Sequence, residues 1–461
     1  MTMEAQSSTV AQQPTQEEDI RARWGWVEPS VWTERMLTAL DNGVKGGKWY
    51  SVCDKVWQPA NLRAAWNRVY ANRGGSGVDG QTVHEYQKRW QQEINCLHDL
   101  LQAERYVPQP VRRVLIPKPG SRDKRPLGIP AVRDRVVQTA MRHVLEPIFE
   151  RTFAEHSYGF RPGRSCKDAL RRVNSLLADG CQWVVDADLK SYFDTIPHDR
   201  LMALVEEQVA DGRMLALLRG YLQQGIMDGL KEWTPEGGTP QGAVISPLLA
   251  NVYLNPLDHL VAKAGYNMVR YADDFVILCR TREEAEAALA LVQGWVTEAG
   301  LTLHPDKTRI VHEMEGFDFL GYHFERGKHW PRPKSWTKFT DTLRTETRRA
   351  NGRSLEAIIA RVNPKLRGWY GYFKHSYWNV FPRLDGWLRK RLRAILNKRR
   401  GCSRWAHTRD DHTRWPNAFF NAHGLFSLTT AHAAECQSLY GLPVNWRAGC
   451  GKSARPVRRE G

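Results

Sequence analysis

The stretch Tyr266-Asn267-Met268-Val269-Arg270-Tyr271-Ala272-Asp273-Asp274-Phe275-Val276-Ile277-Leu278-Cys279 sets two acidic residues between two apolar runs. Met268–Arg270 and Phe275–Leu278 read as strands, and Tyr271–Asp274 reads as the tight turn that joins them. Asp is frequent in turns because its side chain hydrogen-bonds nearby backbone, so a lone Asp-Asp turn carries no chemistry by itself. A second acidic interruption lies upstream. Cys181 to Leu189 alternates and reads as a buried strand, yet Val184-Val185-Asp186-Ala187-Asp188-Leu189 places two carboxylates in it. Phosphoryl transfer uses two Mg²⁺ ions about 3.5–4 Å apart, which clamp the attacking and leaving oxygens. Mg²⁺ takes hard oxygen ligands, typically one or two carboxylates together with substrate phosphates. Two adjacent strands that each present an Asp at one sheet level would build such a clamp, with Asp273 facing Asp188 and Asp274 beside it at the turn. Asp186 lies on the same face of an ideal strand as Asp188, so spacing does not separate them.

Working outward, Gln58 to Tyr70 places Leu62, Ala65, Trp66 and Val69 at helical spacing, and Val132 to Phe149 returns to that period. Arg112 to Ile116 is β-rich, and Pro117–Gly120 with Pro126–Pro130 read as punctuation. A helix is expected to begin near Asp199. Glu283 to Ala299 reads as an amphipathic helix with Ala287, Leu291 and Trp295 on one face. Thr308–Val311 and Phe317–Phe324 suggest a final strand pair. Strands and helices intermix through roughly 110–325, an α+β pattern. Beyond about Lys328 strand signals vanish and basic, Trp- and Tyr-rich helices take over, so a domain boundary is expected there. From Trp415 onward periodic signals are few.

Lys and Arg number 67 against 50 Asp and Glu, a net charge of +17. Such a surplus attracts polyanions, either nucleic acid or an anionic membrane. No stretch of eighteen apolar residues is present to span a bilayer, and Met1 to Ile20 lacks an apolar signal core. Nucleic acid is the favoured partner. The eight cysteines include no C-x-x-C pair and read as reduced thiols of a cytosolic protein. Cys402, His407 and His412 can be written as a loose metal set, but their spacing matches no standard pattern.

The motifs agree in order and content. Asp188-Leu189-Lys190-Ser191-Tyr192-Phe193-Asp194, Thr239-Pro240-Gln241-Gly242, Tyr271-Ala272-Asp273-Asp274 and Lys307 follow one another along the chain. Together they resemble reverse transcriptases of the right-hand polymerase fold. Ser157-Tyr158-Gly159-Phe160-Arg161-Pro162-Gly163-Arg164-Ser165, Gly242-Ala243-Val244-Ile245-Ser246-Pro247-Leu248-Leu249-Ala250-Asn251 and Phe317-Asp318-Phe319-Leu320-Gly321-Tyr322 resemble group II intron reverse transcriptases in particular. Pro364-Lys365-Leu366-Arg367-Gly368-Trp369-Tyr370-Gly371-Tyr372-Phe373 resembles the maturase-specific domain that doubles as the polymerase thumb. The resemblance spans roughly residues 56–430.

What this implies can be stated residue by residue. The fold expected is α+β: fingers and palm with an antiparallel sheet, then an α-helical thumb/maturase domain and a short C-terminal DNA-binding tail. The corresponding segments are a variable leader over 1–55, an N-terminal extension over 56–110, fingers and palm over 111–327, thumb over 328–414 and tail over 415–461. Asp188, Asp273 and Asp274 are the implied carboxylates for two Mg²⁺ ions, the resemblance selecting Asp188 over Asp186. Phe193 matches the steric gate beneath the sugar, which makes the substrate a dNTP. Gln241 matches the residue packed on the incoming nucleotide. Lys118 and Arg125 match cationic contacts to the triphosphate, and Lys307 matches a general acid for leaving pyrophosphate.

The implied activity is RNA-directed DNA synthesis joined to maturase function: binding the group II intron RNA, assisting its splicing and supporting retrohoming by target-primed reverse transcription. Implied partners are intron RNA, target DNA, an RNA template–DNA primer duplex and dNTPs, in a bacterial cytoplasm and without a membrane. The basic face of Trp387 to Arg400, with Leu388, Leu392, Ile395 and Leu396 opposite, would meet phosphates. The tail resembles the short endings of endonuclease-lacking members, so second-strand cleavage is not expected of it. Other bacterial reverse transcriptases (retron, diversity-generating or domesticated) and a splicing-only maturase are the alternatives. Gly75-Ser76-Gly77-Val78-Asp79-Gly80 satisfies a dinucleotide-binding pattern, but a helix-like segment precedes it where a strand is required. It instead resembles a loop of the family's N-terminal extension that contacts RNA. Gly451-Lys452-Ser453 mimics a phosphate loop, and Trp446 stands where the earlier glycine is needed.

Overall fold

The computed structural model describes residues 16–117, 124–228, 231–234, 237–239, 242–402 and 408–440. Its strands are β1 (Val111–Pro117), β2 (Lys124–Ile129), β3 (Trp183–Asp188), β4 (Ile226–Asp228), β5 (Lys231–Trp233), β6 (Asn267–Tyr271), β7 (Asp274–Cys279), β8 (Arg309–His312), β9 (Phe317–Phe319), β10 (Tyr322–Glu325) and β11 (Lys328–Pro331). They form three sheets, ordered β2-β1-β4-β5, β6-β7-β3-β8 and β11-β10-β9. The expected mixture of helix and sheet is present.

The chain divides into two compact units. The first comprises Met1–Ala169, Ala187–Ile277 and Glu283–Arg309. Its helix Pro59–Asn72 buries Leu62, Ala65, Trp66 and Val69, the face anticipated from periodicity. Against it lies Val132–Glu150. Buried Asn61 ties the two, donating to the Ala140 carbonyl at 3.1 Å while its amide oxygen meets His143 Nδ1 at 2.7 Å. A polar side chain so placed costs several kcal/mol unless its bonds are met, which makes it a register pin. Ser246–Lys263 is buried almost all round, as its run of Leu, Val and Tyr dictates.

The second unit comprises Leu170–Asp186, Leu278–Arg282 and Ile310–Gly461. The β9-β10-β11 meander pairs Tyr322 with Phe319 and with Pro331. Phe317 and Phe324 stack with ring centroids 5.0 Å apart. Leu320 and Gly321 both take positive φ in the two-residue turn between β9 and β10, as do Arg326 and Gly327 in the next. Such turns match the right-handed strand twist. The helices Pro333–Glu346, Leu355–Phe373, Val380–Arg399 and Leu428–Tyr440 follow. Asp385 accepts from the backbone N–H groups of Leu428 and Thr429, each at 3.1 Å, and so caps the last helix.

Several expectations need correction. Pro126 sits inside β2, where punctuation was expected; β2 is an edge strand, the place where a missing N–H is tolerated. β1 pairs with β4 in parallel, so that sheet is not wholly antiparallel. β8 belongs to a different sheet from β9 and β10, and β11 continues strand structure past Lys328. In the helix Arg282–Glu298 the buried stripe is Ala285, Ala288, Val292 and Val296; Ala287 is exposed. Trp295 lies at the rim, edge-on to Tyr253. Arg393 is buried, not part of a basic outer face: its guanidinium donates to the Trp415 carbonyl at 2.8 Å and to Asn417 at 2.9 Å. The region after Trp415 is helical over Asn417–Ala422 and Leu428–Tyr440; among the described side chains the buried apolar residues of these helices are Phe420 and Leu428, too few to write a period into the sequence.

Candidate active site

The aspartate turn is built under constraint. β6 ends at Tyr271 and β7 begins at Asp274, so Ala272 and Asp273 alone connect them. Ala272 adopts φ 60°, a conformation that L residues other than Gly, Asn and Asp seldom take and that costs on the order of 1 kcal/mol or more. Surrounding structure holds it there. The segment His156–Tyr158 runs along β6: Tyr158 N donates to the Arg270 carbonyl at 2.8 Å and Arg270 N to the His156 carbonyl at 3.0 Å. Gly159 then lies so close that an added Cβ would stand 2.2 Å from Ala272 N. Any side chain there would displace the turn.

Asp188 ends β3, and the segment after it is fastened to 302–304. Lys190 N donates to the Thr302 carbonyl at 2.8 Å, and His304 N to the Asp188 carbonyl at 2.7 Å. The turn His304–Lys307 then returns the lysine toward the strand end, where Lys307 Nζ lies 2.5 Å from Asp188 Oδ2. Asp188 and Asp273 share one electrostatic neighbourhood. Burial raises the Asp273 carboxyl above the ordinary carboxylate range; the Asp188 charge adds to this, and Arg125 and Arg270 oppose it. The structure thus brings together Asp188, Asp273, Lys307 and Arg125, which come from four separate stretches of chain.

Phe193 is half-buried on the short helix Tyr192–Thr195, its ring 5.4 Å from that of Tyr192. Thr239 N donates to the Phe193 carbonyl at 2.6 Å. Gly238 packs on the Asp194 backbone and Gly242 on the Gly128 carbonyl of β2, neither leaving room for a Cβ. Lys118 and Gln241 lie outside the described residues, as does His407.

Asp188 and Asp273 offer hard anionic oxygens that repel one another, the donor chemistry a divalent cation satisfies. Asp274 follows directly as the first residue of β7. Among the described residues no three His, Cys, Asp or Glu side chains are gathered closely enough to make an all-protein cage. Two protein carboxylates completed by substrate phosphates are the usual Mg²⁺ arrangement, and the pair fits that mode.

Residues not singled out from sequence support the turn. Arg270 and Asp258 are fully buried and paired. A charged residue inside the apolar run Met268–Tyr271 was the available signal, since a buried charge demands a partner.

The family model for "Reverse transcriptase (RNA-dependent DNA polymerase)" matches residues 116–324, and that for "Group II intron, maturase-specific domain" matches 336–414. Protein YkfC of Escherichia coli (strain K12) is 35% identical over 385 residues, covering 74% of this chain and 95% of that protein. The group II intron-encoded protein LtrA of Lactococcus lactis subsp. cremoris is 38% identical over 206 residues, 44% of this chain and 34% of LtrA. An uncharacterized 91 kDa protein in a cob intron of Schizosaccharomyces pombe is 32% identical over 296 residues, 51% of this chain and 36% of that protein. Among the described residues no helix is long and apolar enough to cross a membrane.

Proposed function

The chain belongs to the group II intron reverse transcriptase and maturase family, RNA-directed DNA polymerases that carry a maturase domain, and on that premise we propose how its residues divide the work. Asp188 and Asp273, with Asp274, hold two Mg²⁺ ions at the polymerase centre. The ions supply charge stabilisation to the attacking and leaving oxygens of nucleotide addition. Arg125, exposed on β2 and within electrostatic reach of Asp273, neutralises triphosphate oxygens as negative charge spreads over them. Lys118, in the same role, and Gln241, against the incoming base and sugar, complete the nucleotide site. The Phe193 ring excludes a 2′-hydroxyl, so dNTPs are selected. Lys307, hydrogen-bonded to Asp188, hands a proton to pyrophosphate.

The observation that carries this reading is the convergence of Asp188, Asp273, Arg125 and Lys307. The segments proposed are the leader 1–55, extension 56–110, fingers and palm 111–327, thumb 328–414 and a DNA-binding tail 415–461. The extension and the basic thumb grip intron RNA, assist its splicing and hold the template–primer duplex during retrohoming into target DNA. The test is extension of a DNA primer on an RNA template with Mg²⁺ and dNTPs. Joint substitution Asp273→Ala and Asp274→Ala should abolish synthesis and leave intron splicing largely intact; loss of both activities would refute the division of labour.

A further inference from the structure

Arg270 lies on β6, two residues before Ala272 and three before Asp273, and is fully buried. Its guanidinium makes four directed bonds. Nε and Nη2 form a fork on Asp258, at 2.7 Å to Oδ1 and 2.5 Å to Oδ2. Nη1 donates to the Asn251 side-chain oxygen at 3.0 Å and to the Ala272 carbonyl at 2.9 Å. Asn251 in turn donates from Nδ2 to the Gly159 carbonyl at 2.8 Å, and Gly159 is the residue pressed against Ala272 N. Asp258 and Asn251 both project from Ser246–Lys263, which is packed against β6.

A fully buried ion pair is a poor device for stability. Withdrawing both charges from water costs about what their attraction returns, and apolar replacements of similar volume are often neutral or better. What this pair does provide is direction. Asp258 and Asn251 fix the guanidinium, and the guanidinium holds one peptide, the one whose carbonyl belongs to Ala272 and whose nitrogen belongs to Asp273. That peptide stands in a conformation an alanine would not choose, so it needs an external hold. Its orientation sets where the Asp273 carboxylate points.

We infer that Arg270, Asp258 and Asn251 form a buried clamp that positions the Asp273 turn for nucleotide addition. Arg270 touches neither substrate nor reacting atoms, and is a positioning residue. The inference rests on Asp273 being a metal carboxylate. A displacement on the order of 1 Å at such a group costs about 100-fold in rate. A lysine at 270 keeps the charge but cannot span Asp258, Asn251 and the Ala272 carbonyl together.

The experiment measures kcat, KM for dNTP, half-saturating Mg²⁺ and template–primer Kd for the full chain carrying Arg270→Lys, Asp258→Asn, Arg270→Met or Asp273→Ala. Melting curves and normalisation to the folded fraction accompany them. The clamp requires kcat to fall about 100-fold in Arg270→Lys and Asp258→Asn. It also requires half-saturating Mg²⁺ to rise, with dNTP KM and duplex Kd within about two-fold. Arg270→Met should be worse than Arg270→Lys; if it does not fold, the other two variants decide. Wild-type kcat per folded molecule in Arg270→Lys would overturn the clamp, as would parallel worsening of kcat, KM and duplex Kd that tracks the loss of Tm. An active Asp273→Ala would instead refute the assignment of Asp273, a result separable from both.

Discussion

Replacing Gly159 by alanine tests the site through a single methyl group. The new Cβ would stand 2.2 Å from Ala272 N, 2.8 Å from the Tyr271 carbonyl carbon and 3.1 Å from Ala272 Cα. All three are backbone atoms, so no rotamer change relieves the overlap. Either the turn or the segment 157–159 must move by about 1 Å to restore van der Waals distance, and overpacking of this kind costs about 1–3 kcal/mol. The segment is held on both sides, by Tyr158 N on the Arg270 carbonyl and by Asn251 on the Gly159 carbonyl. Arg270 holds the turn at the Ala272 carbonyl, but the overlap falls on Ala272 N and the Tyr271 carbonyl carbon, outside that hold, and Ala272 is already strained, so the turn takes most of the shift. A carboxylate moved that far loses about 100-fold in rate. The assay is single-nucleotide primer extension at saturating dNTP, alongside duplex binding and thermal melting. A folded Gly159→Ala protein with unchanged kcat would refute the reasoning, because the contact would then be shown not to set the position of Asp273.

Further outcomes are expected. Phe193→Ala should admit ribonucleotides, lowering dNTP-over-rNTP discrimination in a competition assay by about 10-fold or more while leaving duplex binding unchanged. Arg393→Ala should lower Tm by removing a buried cation's bonds to the 415–417 segment, at about 2–4 kcal/mol, whereas Lys398→Ala on the exposed end of the same helix should leave Tm unaltered. Burial raises the Asp134 carboxyl to about 6. A folded-state value above the unfolded one means that stability is present below about 4 and is lost as pH rises through about 6, by about 3 kcal/mol. Asp134→Asn should therefore gain stability relative to the parent as pH climbs from 4 to 7, and a pH-independent difference in melting temperature would contradict this. Affinity for structured RNA should fall steeply with added salt, as phosphate neutralisation by a +17 chain requires.

Sequence determined the elements whose signal is local. The strand–turn–strand around Asp273 and Asp274 follows from β-rich runs bounding a turn, and Pro59–Asn72 from helical spacing of Leu62, Ala65, Trp66 and Val69. The ordered motifs from Asp188 to Lys307 point to polymerase chemistry through residue order and content alone. Tertiary structure decided what depends on partners distant along the chain. Edge position made Pro126 a strand residue, and pairing placed β8 apart from β9 and β10, neither being written in periodicity. Which stripe of Arg282–Glu298 is buried depended on the surface it met, so small Ala and Val side chains went inward and Ala287 stayed outside. Arg393 lies within the basic run Trp387 to Arg400, and only the fold brings the Trp415 carbonyl and Asn417 to it. Arg270 shows the same division: its charge in an apolar strand announced that a partner must exist, but only folding brought Asp258, Asn251 and the Ala272 carbonyl within reach, because directed hydrogen bonds depend on positions in space that residue order does not specify.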